Sequence, residues 1–164
     1  MNRKHMRGSY TVEFAIVGLM VFTLLFGVLE MGRLYFTVNA LDEVVRRGAR
    51  LAAVCNIDDE VVLRRAIFNA ASNAGNSQLI GDLATTHLTL TYLDADGALV
   101  ANPADTVSAN GFRAIRYVRL SLQNFVFKLF IPGFGVPFTL PTFRATLPRE
   151  SLGRHSDSGE ITPC

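Results

Sequence analysis

The chain is poor in the signatures of catalysis. Its three histidines, His5, His87 and His155, are scattered and suggest no metal cluster. There is no glycine-rich loop of the kind that cradles phosphate. Asn76-Ser77, within Gly75-Asn76-Ser77-Gln78-Leu79, misses the nucleophile-elbow pattern at its last glycine. It also follows a helix instead of leading from a strand into one. Asp94-Ala95-Asp96-Gly97 imitates the start of a calcium loop without its later ligands, and a hairpin turn accounts for it better. These absences predict a chain that is not an enzyme and takes no cofactor and no metal.

A lasting excess of one charge is missing too. The formal net charge is +2. Residues 1–8 hold three of the positive groups (Arg3, Lys4 and Arg7), which leaves the remainder at −1 in side-chain charge. A nucleic-acid binder keeps a basic surface after that subtraction, so no nucleic-acid partner is expected. Arg113, Arg116 and Arg119 read as solvated arginines on a strand.

What the chain does have is a long apolar run close to its start. From Phe14 to Leu29 there is no charge and no proline. Sixteen helical residues reach about 24 Å, slightly short of a ~30 Å hydrocarbon core. Val12 and Met31 extend the run, giving a single span over about residues 12–31 with Glu13 and Glu30 near its ends. Arg3, Lys4 and Arg7 on the short leading side predict a cytoplasmic N-terminus, with the rest of the chain outside the cytoplasm. A secretory signal peptide would need small residues after the run. The bulky, charged Glu30-Met31-Gly32-Arg33-Leu34-Tyr35-Phe36 follows instead.

The helical pattern then continues. Met31, Leu34, Val38, Leu41, Val45, Gly48, Ala52 and Cys55 recur in steps of three and four, which is one narrow apolar stripe on a stem reaching about Cys55. Asp42, Glu43, Arg46, Arg47 and Arg50 form its solvated face. A carboxylate in the lipid is costly, about 2.5–3.5 kcal/mol at mid-bilayer and less near an interface. Glu13 therefore either marks the water boundary or finds a positive partner.

Gly8, followed by Glu13 and Phe14, resembles the prepilin peptidase site of type IV pilin-like proteins. The string from Arg7 through Gly8-Ser9-Tyr10-Thr11-Val12-Glu13-Phe14 to Val17 resembles the TadE-like minor pseudopilins of the tight-adherence (Flp pilus) system. The similarity continues through Gly27-Val28-Leu29-Glu30-Met31-Gly32-Arg33 and Ala49-Arg50-Leu51-Ala52-Ala53, covering about the first third of the chain. Ser9 departs from the wider pilin pattern, in which mature chains often begin with Phe or Met. The resemblance implies cleavage between Gly8 and Ser9, and an assembly and processing motif at Val12, Glu13 and Phe14. It also implies pairing of the freed Ser9 amine with a neighbouring subunit's Glu13. The implied partners are a prepilin peptidase, other pilin and pseudopilin subunits, an inner-membrane assembly platform and membrane lipid. The implied location is the cytoplasmic (inner) membrane, crossed once, or the pilus itself. The alternative is an uncleaved, single-span, membrane-anchored extracytoplasmic binding or sensor domain.

Beyond the stem, Asp58 or its neighbour caps a second helix expected to run to Gly75. Strands are expected at Thr86–Leu93, near Ala98–Val100, at Ile115–Leu122, and in the stretches Phe125–Ile131 and Val136–Leu147. Phe125, Phe127, Phe130, Phe134 and Phe138 are either core residues or an exposed docking patch. The expected fold class is α+β and pilin-like: a long N-terminal transmembrane helix and stem, a second helix, and a small antiparallel sheet of about four strands. The expected organisation is a basic leader (1–8), span and stem (9–55), an extracytoplasmic α+β domain (56–148) and a flexible tail (149–164). In an oxidising compartment Cys55 and Cys164 could tie the tail back to the stem; sequence leaves the disulfide and two free thiols equally open.

Overall fold

The computed structural model describes the backbone of residues 7–9 and residues 10–57, 59–130, 137–155, 157–158, 160–161 and 164 in full. The leader positions 1–6, Asp58 and Phe134 lie outside the described residues. The chain is α+β, with α1 at Arg7–Val54, α2 at Glu60–Ala66, and strands β1 Leu88–Leu93, β2 Tyr117–Leu122, β3 Val126–Phe127, β4 Phe138–Thr139 and β5 Phe143–Pro148. It divides into two units, one of Met1–Phe36 with Phe127–Phe138 and the other of Thr37–Val126 with Thr139–Cys164.

In the larger unit, β1, β2 and β5 form an antiparallel sheet with β2 at its centre. Leu88 faces Leu122 and Leu93 faces Tyr117 across β1 and β2, while Tyr117 faces Pro148 and Leu122 faces Phe143 across β2 and β5. On β2, Val118, Leu120 and Leu122 alternate with outward residues and are fully buried, as period two requires of a strand with one covered face. β3 and β4 pair separately as a short ribbon. The result is a three-stranded sheet with a ribbon, where one sheet of about four strands was expected. Near Ala98–Val100 the chain makes an isolated bridge from Leu93 to Leu99, with Asp94 N donating to Ala98 O and Val100 N to Tyr92 O. The Asp94 carboxylate accepts from Asp96 N and Ala98 N, and Gly97 takes φ +80°, so this segment is the turn that follows β1.

The stem stripe is wider and begins later than its periodicity suggested. Leu41, Val45, Gly48, Ala52 and Cys55 are buried, and Ala40, Val44, Ala49 and Ala53 are buried beside them. Met31 is exposed, and Leu34 and Val38 are half-buried. Gly48 is a close-approach point. A Cβ there would stand 2.2 Å from Leu120 Cδ2 and 2.8 Å from Ala66 Cβ, so the missing side chain lets α1 lie against β2 and α2. A core cluster gathers Ala52, Cys55, Val62, Tyr92, Val100, Ile115, Val118 and Leu152.

α2 is short. Asp59 caps it, its carboxylate accepting from Val61 N at 2.9 Å, and it ends at Ala66, well before Gly75. Phe68 turns the chain with φ +65°. Buried Asn69 then donates to Gly75 O at 2.9 Å and to Asn76 O at 3.2 Å, and accepts from Gln78 N. Buried Ser77 donates to Ile67 O at 2.6 Å and accepts from Leu79 N and Ile80 N. These bonds give the backbone an alternative to further helical turns.

Of residues 149–164, polar in composition and expected to be a flexible tail, residues 150–153 return to the end of α1. Glu150 N and Leu152 N donate to Ala53 O, Gly153 N donates to Val54 O, and Leu152 is fully buried. A Cβ on Gly153 would meet the Asn56 backbone at 2.6 Å, and its φ of +71° also favours glycine. Those bonds satisfy carbonyls that a helix end leaves without intrahelical donors.

Candidate functional site

α1 is 48 residues long, so it extends about 72 Å at 1.5 Å per residue. From Phe14 to Leu29 every residue except the two glycines, Gly18 and Gly27, is exposed. An apolar side chain left in water forgoes about 1.5–3 kcal/mol of burial, so such a surface calls for an apolar environment. The one hydroxyl in the run, on Thr23, donates to Leu19 O at 2.8 Å and so is satisfied within the helix. Among the described residues, α1 is the one helix long and apolar enough to cross a membrane.

Gly8 and Ser9 lie in the first turns of α1, with Val12, Glu13 and Phe14 exposed just after them. Ser9 and Glu13 are four residues apart along α1. Phe14, 79% exposed, begins the apolar surface. Cys55 and Cys164 are far from this motif in sequence and are joined as a disulfide with Cα atoms 5.6 Å apart. Cys164 N also donates to the Asp59 carboxylate.

The far end of the apolar run holds an arrangement that sequence reasoning missed. Glu30, although polar, is buried. One of its oxygens accepts from Arg33 at 2.9 Å and the other from Phe130 N at 3.1 Å. Arg33 also donates to Lys128 O. Its guanidinium lies 4.3 Å from the Phe127 ring centre and 3.8 Å from that of Phe130, within cation–π range of both. Phe127 is buried and packs on Phe138 at 5.4 Å, while Phe130 is 74% exposed. Phe125 is buried beside His87. The aromatic segment is therefore neither all core nor all patch. Its available signal was the Glu30–Arg33 spacing of three residues at the close of an apolar run, together with a remote segment rich in rings.

The match is to the TadE-like protein family, over residues 8–50. No curated protein and no solved structure gives a significant match to the chain. The TadE-like segment takes in Gly8, Ser9, Glu13, the apolar run and the Glu30–Arg33 pair. It stops short of both cysteines and the whole sheet. The matched segment is about a quarter of the chain, and its exposed helix is consistent with single-pass membrane anchoring.

Proposed function

We propose that the chain is a minor pseudopilin of a tight-adherence (Flp) pilus machine, cleaved after Gly8 by a prepilin peptidase. The observation that carries this is the coincidence of the TadE-like match with an exposed apolar helix that opens on Gly8-Ser9 and Glu13. Gly8 has no side chain to obstruct a narrow protease cleft, and its place in the first turn favours local opening. Cleavage frees the Ser9 amine, which pairs with Glu13 of a neighbouring subunit and neutralises a carboxylate that lipid disfavours. Arg3, Lys4 and Arg7 hold the N-terminus in the cytoplasm. The larger unit then folds outside, where an oxidising compartment suits the Cys55–Cys164 disulfide.

In this role the protein acts without catalysis, alongside other pilin and pseudopilin subunits, the inner-membrane assembly platform and lipid. The test is Glu13→Ala. The variant should still insert in the membrane fraction and lose its place in sheared filament material. Incorporation equal to wild type would remove the pairing and the assembly role given to Glu13.

A further inference from the structure

The apolar run Phe14–Leu29 covers about 24 Å of a ~30 Å hydrocarbon core, so a bilayer centred on it reaches beyond Leu29. α1 continues there with Met31, Tyr35 and Phe36 all exposed. At the same level Glu30 and Arg33 grip residues 127–130 and leave the Phe130 ring largely uncovered. Phe130, Tyr35 and Phe36 are thus exposed aromatic side chains at the level where the exposed apolar run of the helix ends, and all belong to the same unit. Tyr gathers at membrane–water interfaces because its ring is apolar and its hydroxyl polar, and Phe at the same level buries its apolar ring at the headgroup/acyl boundary.

We propose that Phe130, held on α1 by Glu30 and Arg33, is a membrane-interface anchor. Together with Tyr35 and Phe36 it lodges at the boundary between headgroups and acyl chains and completes a span that is short on its own. The occupant of this surface is lipid, because the surface prolongs the lipid-facing side of the helix at the depth where the hydrocarbon ends. Glu30 is then a positioning residue: its carboxylate is taken up by Arg33 and Phe130 N, and so is neutralised where it enters the boundary. The inference rests on the single-span reading.

The chain contains no tryptophan, so single reporters are clean. The full-length protein is reconstituted into phosphatidylcholine vesicles as Phe130→Trp and, separately, as Leu24→Trp; both native side chains are exposed. Lipids brominated near the glycerol end of the acyl chains should quench the residue-130 reporter, and aqueous iodide should quench it weakly. Lipids brominated near the chain ends should quench the residue-24 reporter. A residue-130 reporter that is insensitive to brominated lipid, beside a quenched residue-24 reporter, overturns the anchor and leaves the span intact. If it is also shielded from iodide, protein covers position 130 instead, from this chain or from a second copy. If neither reporter responds to brominated lipid, the span and the anchor fall together.

Discussion

Gly48→Ala should weaken the larger unit even though it adds a better helix former to α1. Two effects compete. In an open helix, alanine in place of glycine gains about 0.8–1.0 kcal/mol. At position 48 the new methyl would lie 2.2 Å from Leu120 Cδ2 and 2.8 Å from Ala66 Cβ. Leu120 is fully buried, so turning its Cδ2 aside needs room that the core must provide, and the Ala66 Cβ is fixed to the backbone and cannot yield without moving α2. Overpacking of this kind costs about 1–3 kcal/mol. Contacts at 2.2 and 2.8 Å place position 48 in the upper part of that range, about 2–3 kcal/mol, so the net expectation is a loss of about 1–2 kcal/mol once the helix gain is deducted. Gly32→Ala is the matched control, since a Cβ there meets nothing within 4 Å and the helix gain goes unopposed. Pulse proteolysis of the full chain in mild detergent, across a temperature series, reads both. The larger unit of Gly48→Ala should be cut several degrees below wild type, because 1 kcal/mol shifts the midpoint of a small domain by roughly 4–8 °C. Stability equal to or above wild type in Gly48→Ala would refute the close approach of α1 to β2 and α2.

Three further outcomes are expected. Cys164→Ser should change non-reducing mobility and lower stability by about 2–5 kcal/mol, because the disulfide closes a loop 109 residues in separation and long loops restrict the unfolded chain most. Unchanged mobility, with two free thiols in the wild type, would count against the bond. Asn69→Ala should cost about 1–3 kcal/mol by stranding Gly75 O and Gln78 N, and amide exchange should rise selectively through residues 69–80. Protection there equal to wild type would show that the loop does not depend on this side chain. Asp105 accepts hydrogen bonds from Val107 N and Ser108 N, and these hold its carboxyl below the usual aspartate range. A depressed folded-state value means that this support is fully present above the unfolded value and is lost as pH falls through the folded one. Carboxyl NMR titration should therefore find Asp105 among the more acidic aspartates, and a normal titration would count against the turn.

Much of the architecture was legible because it follows from local period. The uncharged run Phe14–Leu29 and the steps of three and four from Leu41 to Cys55 led to one long helix. The alternation of Val118, Leu120 and Leu122 led to a strand with a single buried face. What stayed hidden depends on partners far away in sequence. α2 stops at Ala66 because Asn69 and Ser77 capture backbone groups across a loop, which hydropathy does not record. Residues 149–154 are polar enough to pass for a tail, yet the free carbonyls of Ala53 and Val54 receive their amides about a hundred residues away. The buried Glu30 is of the same kind. Its polarity argued for exposure, and its burial rests on Arg33 and on an amide supplied by Phe130.

The Gly8–Ser9 bond is where the proposed role stands or falls. The most direct measurement is the mass and N-terminal sequence of the membrane-associated protein, made with and without a cognate prepilin peptidase. The pseudopilin account predicts a mature chain beginning at Ser9, found when the peptidase is present and absent when it is not. An intact leader under both conditions would contradict it and leave an uncleaved, membrane-anchored domain.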